Sequence, residues 1–337
     1  MAQIKIAING FGRIGRIFFR QAFDSQKLEI AAINDIGSSD NLAYLLKYDS
    51  VYGPYEKEVS VSGDVLTIGG KKVQVLHEKE PSKLPWKDLG IDIVVESTGV
   101  FESRDTSESH LSAGAKRVVI TAPAKDDITP TATPNVGEEF LQSDKITSNA
   151  SCTTNAVTPV MAVMMAEPGI KKAILNTVHG YTASQGLVDG PDKKGDFRRA
   201  RAAGINIVPS TTGAALAATK AIPALADKFD GISLRVPVIS GSIADFTFIS
   251  ARPTSVEEVN DIFKKAAQRE SWKGILAVTE EPLVSTDILR NPHGSIVDLT
   301  MTKVVDGDLV KVLAWYDNEW GYGAMLLKHI LAVAELL

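Results

Sequence analysis

Residues 4–35 read IKIAINGFGRIGRIFFRQAFDSQKLEIAAIND, and this stretch decides the fold. An Ile-rich run at 4–9 predicts a strand. Glycines follow at once and predict a turn, and the apolar, basic stretch to Phe23 predicts a helix. A second apolar run, LEIAAIN at 28–34, predicts another strand. Strand, helix, strand in this order begins a parallel, doubly wound α/β sheet. Gly10, Gly12 and Gly15 form G-x-G-x-x-G between the predicted strand and helix, the context in which such glycines cradle a dinucleotide. They permit a tight turn and let the backbone approach a pyrophosphate, which the free amides of the helix start then bind. Asp35 ends the second strand, where an acid accepts hydrogen bonds from ribose hydroxyls and repels a 2′-phosphate. NAD is therefore expected over NADP. The competing readings are a ligand-free glycine turn and, for Asp35, a turn residue. Arg13 is either a solvated helix-start charge or a pyrophosphate or domain-closure contact.

Further strands are expected at 59–76 (with a turn at Gly69-Gly70), 91–98 and 117–122, and helices near 39–48 and 103–114. The loop AKDDITPTATPN at 124–135 is expected at the surface. After Ser151 the texture changes to longer, alternating strands at 174–181, 232–238, 242–251, 295–302 and 309–317, with helices near 211–226 and 255–270. Long strands in succession indicate an antiparallel or mixed sheet. The apolar helix expected at 318–337 should pack against a domain.

The length of 337 residues corresponds to about two domains at ~150 residues each. Lys and Arg number 36 against 41 Asp and Glu, a net charge of −5 with no like-charge block, which argues against a nucleic-acid surface. The start, Met1-Ala2-Gln3-Ile4-Lys5, does not read as a signal peptide, and no apolar run is long enough for a membrane span. The single cysteine excludes an internal disulfide and a multi-cysteine metal site, and fits a reducing compartment. A cytoplasmic protein without a metal is expected.

That cysteine, Cys152, lies in SNASCTTNA (148–156), where Ser and Thr precede an apolar run that reads as a helix start, with Pro159 expected to kink the helix early. A thiol at a helix N-terminus is expected to have a lowered pKa. The alternative, a small buried hydrophobe, fits poorly with the flanking hydroxyls and amide. Of the five histidines, His179 ends a strand before the loop Gly180-Tyr181-Thr182 and is placed to act as base for the thiol, although a structural histidine reads similarly. His77, His110, His293 and His329 carry no motif. Arg198, Arg199 and Arg201, then Ser210, Thr211, Thr212 and Gly213 before an Ala-rich helix, offer an anion site, or else a capped helix and a subunit-interface loop. Arg235 lies in an apolar strand and needs an anionic partner, either a ligand or an acid side chain.

NGFGRIG, IND, SNASCTTN, HGYT, TTGAA, LRVP and WYDNEWGY occur in this order from Ile4 to the last helix. The set resembles the phosphorylating glyceraldehyde-3-phosphate dehydrogenase family, and SNASCTTN is the most specific part of it. The resemblance implies a Rossmann cofactor domain at 1–151 and 318–337 and an α+β catalytic domain with a mostly antiparallel sheet at 152–317. It implies Cys152 as nucleophile and His179 as its base. It assigns Ser151, Thr153, Thr212 and Gly213 to inorganic phosphate, with Arg199 as an anion ligand, and Thr182 and Arg235 to the substrate phosphate. Gly10, Gly12, Arg13, Ile14, Asp35, Thr121 and Asn318 would contact NAD, and the family's basic residue at the adenine falls at Lys79. Pro191 in VDGPD matches the NAD-using form of a loop that reaches a neighbouring subunit of a homotetramer.

The chain also departs from that pattern. Ala156 stands where many members have a second cysteine, so peroxide should drive Cys152 to sulfenic acid and beyond, or to mixed disulfides. Leu216 replaces a usual lysine, PTATPN (130–135) replaces the usual Gly-Val-Asn, and Gly-Ala-Met follows NEWGY. A sister family, erythrose-4-phosphate dehydrogenase, shares SNASCTTN, LLKYD and LPW, but HGYT with VDGP and TTGAA favours glyceraldehyde 3-phosphate with inorganic phosphate. A noncatalytic NAD-binding or interaction protein would be expected to lack Cys152 or His179. A cysteine peptidase is disfavoured by the dinucleotide loop.

Overall fold

The structure is a computed structural model that describes residues 3–191 and 195–337. Asp192 of the VDGPD motif and the first two residues of the N-terminal reading lie outside the described residues. The chain divides into two compact units. The first comprises Met1–Ala132, Gly137–Ala150 and Leu326–Leu337, the second Thr133–Val136 and Ser151–Met325.

The first unit opens with β1 (Ile4–Asn9), α1 (Arg13–Ala22), β2 (Leu28–Asn34) and α2 (Ser39–Lys47). Then come β3 (Val59–Ser62), β4 (Val65–Ile68), β5 (Lys71–Leu76), a short α3 (Trp86–Leu89), β6 (Ile93–Glu96), α4 (Arg104–Ser112), β7 (Arg117–Ile120) and β8 (Ile146–Ser148). The strands form one sheet in the order β3-β4-β5-β2-β1-β6-β7-β8. β1 pairs in parallel with β2 on one side and β6 on the other, so the winding reverses beside β1. The crevice at the carboxyl ends of strands at such a reversal is where open α/β sheets bind ligands.

Helix α1 buries Gly15, Ile17, Phe18, Phe19 and Ala22 and turns its arginines away from that face. Burying each of the large side chains among them contributes about 1.5–3 kcal/mol. The stretch 59–76 resolves into three short strands rather than a pair. Its β4–β5 turn uses Gly69 and Gly70 at φ +53° and +85°, the left-handed geometry that a two-residue hairpin requires. One expectation is corrected: the second half of the 124–135 loop is not at the surface. Thr129, Thr131, Ala132 and Thr133 are buried, because Ala132 N donates to Ser148 O and Ser148 N to Pro130 O at the end of β8. Backbone bonded to a core strand has no solvated route.

The second unit contains α5 (Cys152–Ala166), β9 (Ile170–Gly180), β10 (Val208–Thr211), α6 (Ala214–Ala221), β11 (Phe229–Val236), β12 (Ser242–Ser250) and α7 (Val256–Ala267). β13 (Leu276–Thr279), β14 (Ser295–Val305) and β15 (Leu309–Tyr316) follow. The last helix, α8 (Trp320–Ala334), begins in this unit and belongs to the first from Leu326 onward. The sheet of the second unit runs β10-β11-β9-β12-β15-β14-β13. Only β9–β11 and β13–β14 pair in parallel, and the other neighbours are antiparallel. The alternating strand β12 buries Ala244, Phe246 and Phe248 in the core with α5 and α6. α5 continues through Pro159 to Ala166, so the proline does not end it.

Candidate active site

In the first unit, a cleft of about 350 Å³ is lined by Asn9, Gly10, Gly12, Asn34, Asp35, Glu78, Lys79, Ser97 and Thr98, among others. The glycines explain its shape. Gly10 has φ +94°, and a Cβ there would lie 2.6 Å from Thr98 N. A Cβ on Gly15 would lie 2.2 Å from Gly10 O, so helix and loop meet only without side chains. A Cβ on Gly12 would meet nothing within 4 Å, so this glycine keeps open space over the cleft floor. No side chain caps α1 at Gly12. Asp35 accepts from Phe11 N at 2.7 Å through one oxygen and from Gly37 N at 2.8 Å through the other. An uncapped helix start, a bare glycine edge and an acid at the second strand end fit a dinucleotide.

The other residues expected on this side are placed as follows. Lys79 lines the cleft. Ile14 is half-buried on α1. Arg13 pairs with Asp49 at 2.5 Å rather than standing as a free charge. Thr121, just beyond β7, directs both its amide and its hydroxyl at Glu96 O, each at 3.0 Å. Asn318 belongs to the second unit, where its amide oxygen accepts from Gly241 N at 3.1 Å and Ser242 Oγ at 2.8 Å.

In the second unit, Ser151 caps α5 by accepting from Thr154 N at 3.1 Å, which places Cys152 in the first helical position. Its Sγ lies 3.4 Å from Nε2 of His179, at the end of β9. Parallel pairing of β9 with β11 sets Arg235 opposite His179. Arg235 Nη1 lies 2.8 Å from His179 Nδ1 and donates to Gly180 O at 3.2 Å. Nδ1 is itself 2.6 Å from Gly180 O. A proton on Nδ1, donated to that carbonyl, turns the Nε2 lone pair to the thiol but sets Nδ1–H beside the Arg235 donor; a lone pair on Nδ1 accepts from Arg235 and turns Nε2–H to the sulfur. Tyr316, from the end of β15, shares a 2.9 Å hydrogen bond with Thr153 Oγ1 and sits edge-on to His179. Sequence reasoning gave Tyr316 no role.

The electrostatics correct one expectation. Burial pushes the Cys152 thiol up, and this outweighs the downward pull of the Arg235 charge, Thr153 and the helix-start amide. A helix terminus offers only partial charges, whereas desolvation acts on the whole thiolate. Burial and the neighbouring Arg235 hold His179 down at about 3, so it rests neutral, as a base must. Among the described residues, no carboxylate pairs with the half-buried Arg235, and its charge favours the Cys152 thiolate.

The remaining expected residues are less closely gathered. Arg199 donates to Ser210 Oγ from Nε at 3.0 Å and Nη2 at 2.7 Å and pairs with Asp196, next to the stretch Thr212-Gly213 that starts α6. Its charge also contributes to lowering His179. Thr182 shares a 2.9 Å hydrogen bond with Ser184. Arg201 pairs with Asp189 instead of joining an anion site. Among the described residues, no group of His, Cys, Asp and Glu is arranged to hold a metal and no helix is long and apolar enough to cross a membrane.

Residues 4–104 match the family described as the NAD binding domain of glyceraldehyde 3-phosphate dehydrogenase, and residues 151–318 match that enzyme's C-terminal domain. Similar proteins include glyceraldehyde-3-phosphate dehydrogenase 2 of Bacillus subtilis, 46% identical over 334 residues, 98% of this chain and 97% of the relative. The glyceraldehyde-3-phosphate dehydrogenase of Zymomonas mobilis is 44% identical over 337 residues, and that of Streptomyces coelicolor 47% over 336, each covering 99% of both chains. Matched in both halves and aligned with these relatives almost end to end, the chain belongs to the glyceraldehyde-3-phosphate dehydrogenase family.

Proposed function

We propose that the protein oxidises glyceraldehyde 3-phosphate to 1,3-bisphosphoglycerate with NAD and inorganic phosphate. The observation that carries this reading is the 3.4 Å contact between Cys152 Sγ and His179 Nε2, with the carboxylate-free Arg235 beside it. Cys152 adds to the aldehyde carbon, forming a C–S bond, and the carbonyl oxygen takes a proton to give a hemithioacetal. His179 then removes the hydroxyl proton as the carbon gives up its hydride, leaving a thioester on Cys152. NAD, when bound, supplies the hydride acceptor. Phosphate attacks the thioester carbonyl, and Cys152 departs as thiolate. In this reading Arg235 and Thr182 hold the substrate phosphate. Ser151, Thr153, Thr212, Gly213 and Arg199 hold the incoming phosphate. Gly10, Gly12, Arg13, Ile14, Asp35, Lys79, Thr121 and Asn318 hold the cofactor.

The reading extends to a cytoplasmic homotetramer in which the cofactor domain takes the last helix from Leu326 onward, rather than from residue 318, and the catalytic domain runs on to Met325. Exposed Leu187, Val188, Phe197, Ile205 and Ile207 support self-association, since so many large apolar side chains in one stretch favour a covering surface. The test is the initial rate of NADH appearance with and without inorganic phosphate, with NADP and erythrose 4-phosphate run in parallel and Cys152→Ser as blank. Phosphate-dependent turnover with NAD that vanishes in the blank is expected. Preference for erythrose 4-phosphate would overturn the substrate, and activity in Cys152→Ser would overturn the mechanism. Light scattering that returns a monomer mass would overturn the assembly.

A further inference from the structure

Beneath the dinucleotide cleft lies a buried polar chain to which the proposed chemistry assigns no part. Glu96 ends β6, and its side chain is 1% exposed. One carboxylate oxygen accepts from Asn9 Nδ2 at 2.5 Å and lies 3.0 Å from His110 Nε2; the other accepts from Thr98 N at 2.9 Å and from the Thr98 hydroxyl. Trp86 Nε1 donates to His110 Nδ1 at 3.0 Å. Asn34 Nδ2 donates to Asn9 Oδ1 at 2.7 Å and to Glu78 O at 2.8 Å, while Glu78 N donates to Asn34 Oδ1 at 2.9 Å.

These contacts admit one assignment of donors and acceptors. An indole N–H only donates, so His110 Nδ1 carries a lone pair and its proton sits on Nε2, aimed at Glu96. A protonated imidazole would set two donors against each other at Trp86. Glu96 meets three donors that cannot accept there, Asn9 Nδ2, His110 Nε2–H and Thr98 N, besides the Thr98 hydroxyl. Asn9 must then turn its nitrogen to Glu96 and its oxygen to Asn34, and Asn34 must turn its nitrogen to Asn9 and its oxygen to Glu78. No amide can flip without stranding a buried group, which costs more than the bond itself contributes. The chain of bonds joins the backbone leading into Gly10, Asp35, Lys79 and Ser97. All four residues line the cleft, as Asn9, Asn34, Glu78 and Thr98 do themselves.

We propose that Glu96, locked by His110 and Trp86, is a positioning residue that holds the strand ends of the cofactor cleft in one geometry, and that His110 and Trp86 serve cofactor affinity through it. The inference rests on the dinucleotide reading of the cleft. The experiment is calorimetric titration of NAD into the parent, Glu96→Gln, His110→Phe and His110→Gln, with iodoacetamide alkylation of Cys152 measured on each. Glu96→Gln places an amide N–H against donors, and His110→Phe removes one donor and strands the indole. Both are expected to raise the Kd by about tenfold or more, the scale of a lost hydrogen bond to a charged group. His110→Gln keeps a donor toward Glu96 and should recover most of the affinity. Alkylation should stay within roughly twofold throughout, because the thiol site is not part of this network. Lower melting temperatures with unchanged Kd would reduce the cluster to a stabilising core and overturn the proposal, as would equal losses of alkylation and binding. If His110→Phe does not fold, equal affinities of the Glu96→Gln and His110→Gln proteins overturn it. A parent that binds no NAD refutes the dinucleotide reading instead.

Discussion

Replacing His179 by Asn tests the reaction centre most directly. Nε2 lies 3.4 Å from Cys152 Sγ, and asparagine retains a polar side chain without a base. Burial raises the thiol, so at neutral pH it is mostly protonated and needs a proton acceptor to become a nucleophile. At 3.4 Å, an imidazolium and a thiolate in an effective dielectric of about 20 attract by roughly 5 kcal/mol. A positioned general base contributes about 10²–10⁴ in rate, or roughly 3–5 kcal/mol, which agrees in scale. His179→Asn should therefore lower kcat by about 10²–10⁴ with little change in KM for the aldehyde, since the base acts in the transition state. A second readout gives the sign. Iodoacetamide alkylation of Cys152 should be slower in the variant at pH 7, and the deficit should shrink as pH rises and solvent hydroxide ionises the thiol. A kcat loss below about tenfold, or an alkylation deficit independent of pH, would refute the assignment of His179 as base.

Three further outcomes follow from the same structure. Gly12→Ala should leave the melting temperature unchanged, because its Cβ meets nothing within 4 Å, yet weaken NAD binding; Gly10→Ala should lose both, and calorimetry with thermal melts separates the two. Asp35→Asn sets an amide against one of the N–H groups of Phe11 and Gly37, so kcat/KM for NAD relative to NADP should fall roughly tenfold in steady-state assays. His329, buried between Thr147 and Asn149, is held by burial at about 4 against an ordinary 6.5. The unfolded chain binds the extra proton between these values, so this contribution is complete above 6.5 and is lost as pH falls toward 4, by about 2 kcal/mol at pH 5. Urea unfolding at pH 7 and pH 5 should show a smaller difference in His329→Gln; equal pH dependence in the two proteins would sink this account.

The local parts of the protein were legible in the sequence. Glycine spacing, the strand–helix–strand opening, the hydroxyl-flanked cysteine at a helix start and the alternating late strands are properties of neighbours in the chain, where side-chain periodicity and turn chemistry operate. The short strands β8, β10 and β13 were not legible, because three or four residues carry no periodicity and form only by pairing with a partner strand. The buried 129–133 segment was misread for a related reason: its Thr and Pro content looks like a surface loop until the strand that holds it is known.

Residue types and motifs by themselves singled out Cys152 and His179 as a candidate pair and Asp35 as an acid at the end of the second strand. Only the tertiary structure decided their state. Register between β9 and β11 put Arg235 on His179, and burial turned an expected low thiol pKa into a raised one, since desolvation depends on everything packed around a group and not on its neighbours in the chain. The same holds for Glu96 and Asn9, 87 residues apart, and for His110 and Trp86, 24 apart. A histidine with no motif around it became the keystone of a buried network because hydrogen bonding acts across space, and space is what folding assigns.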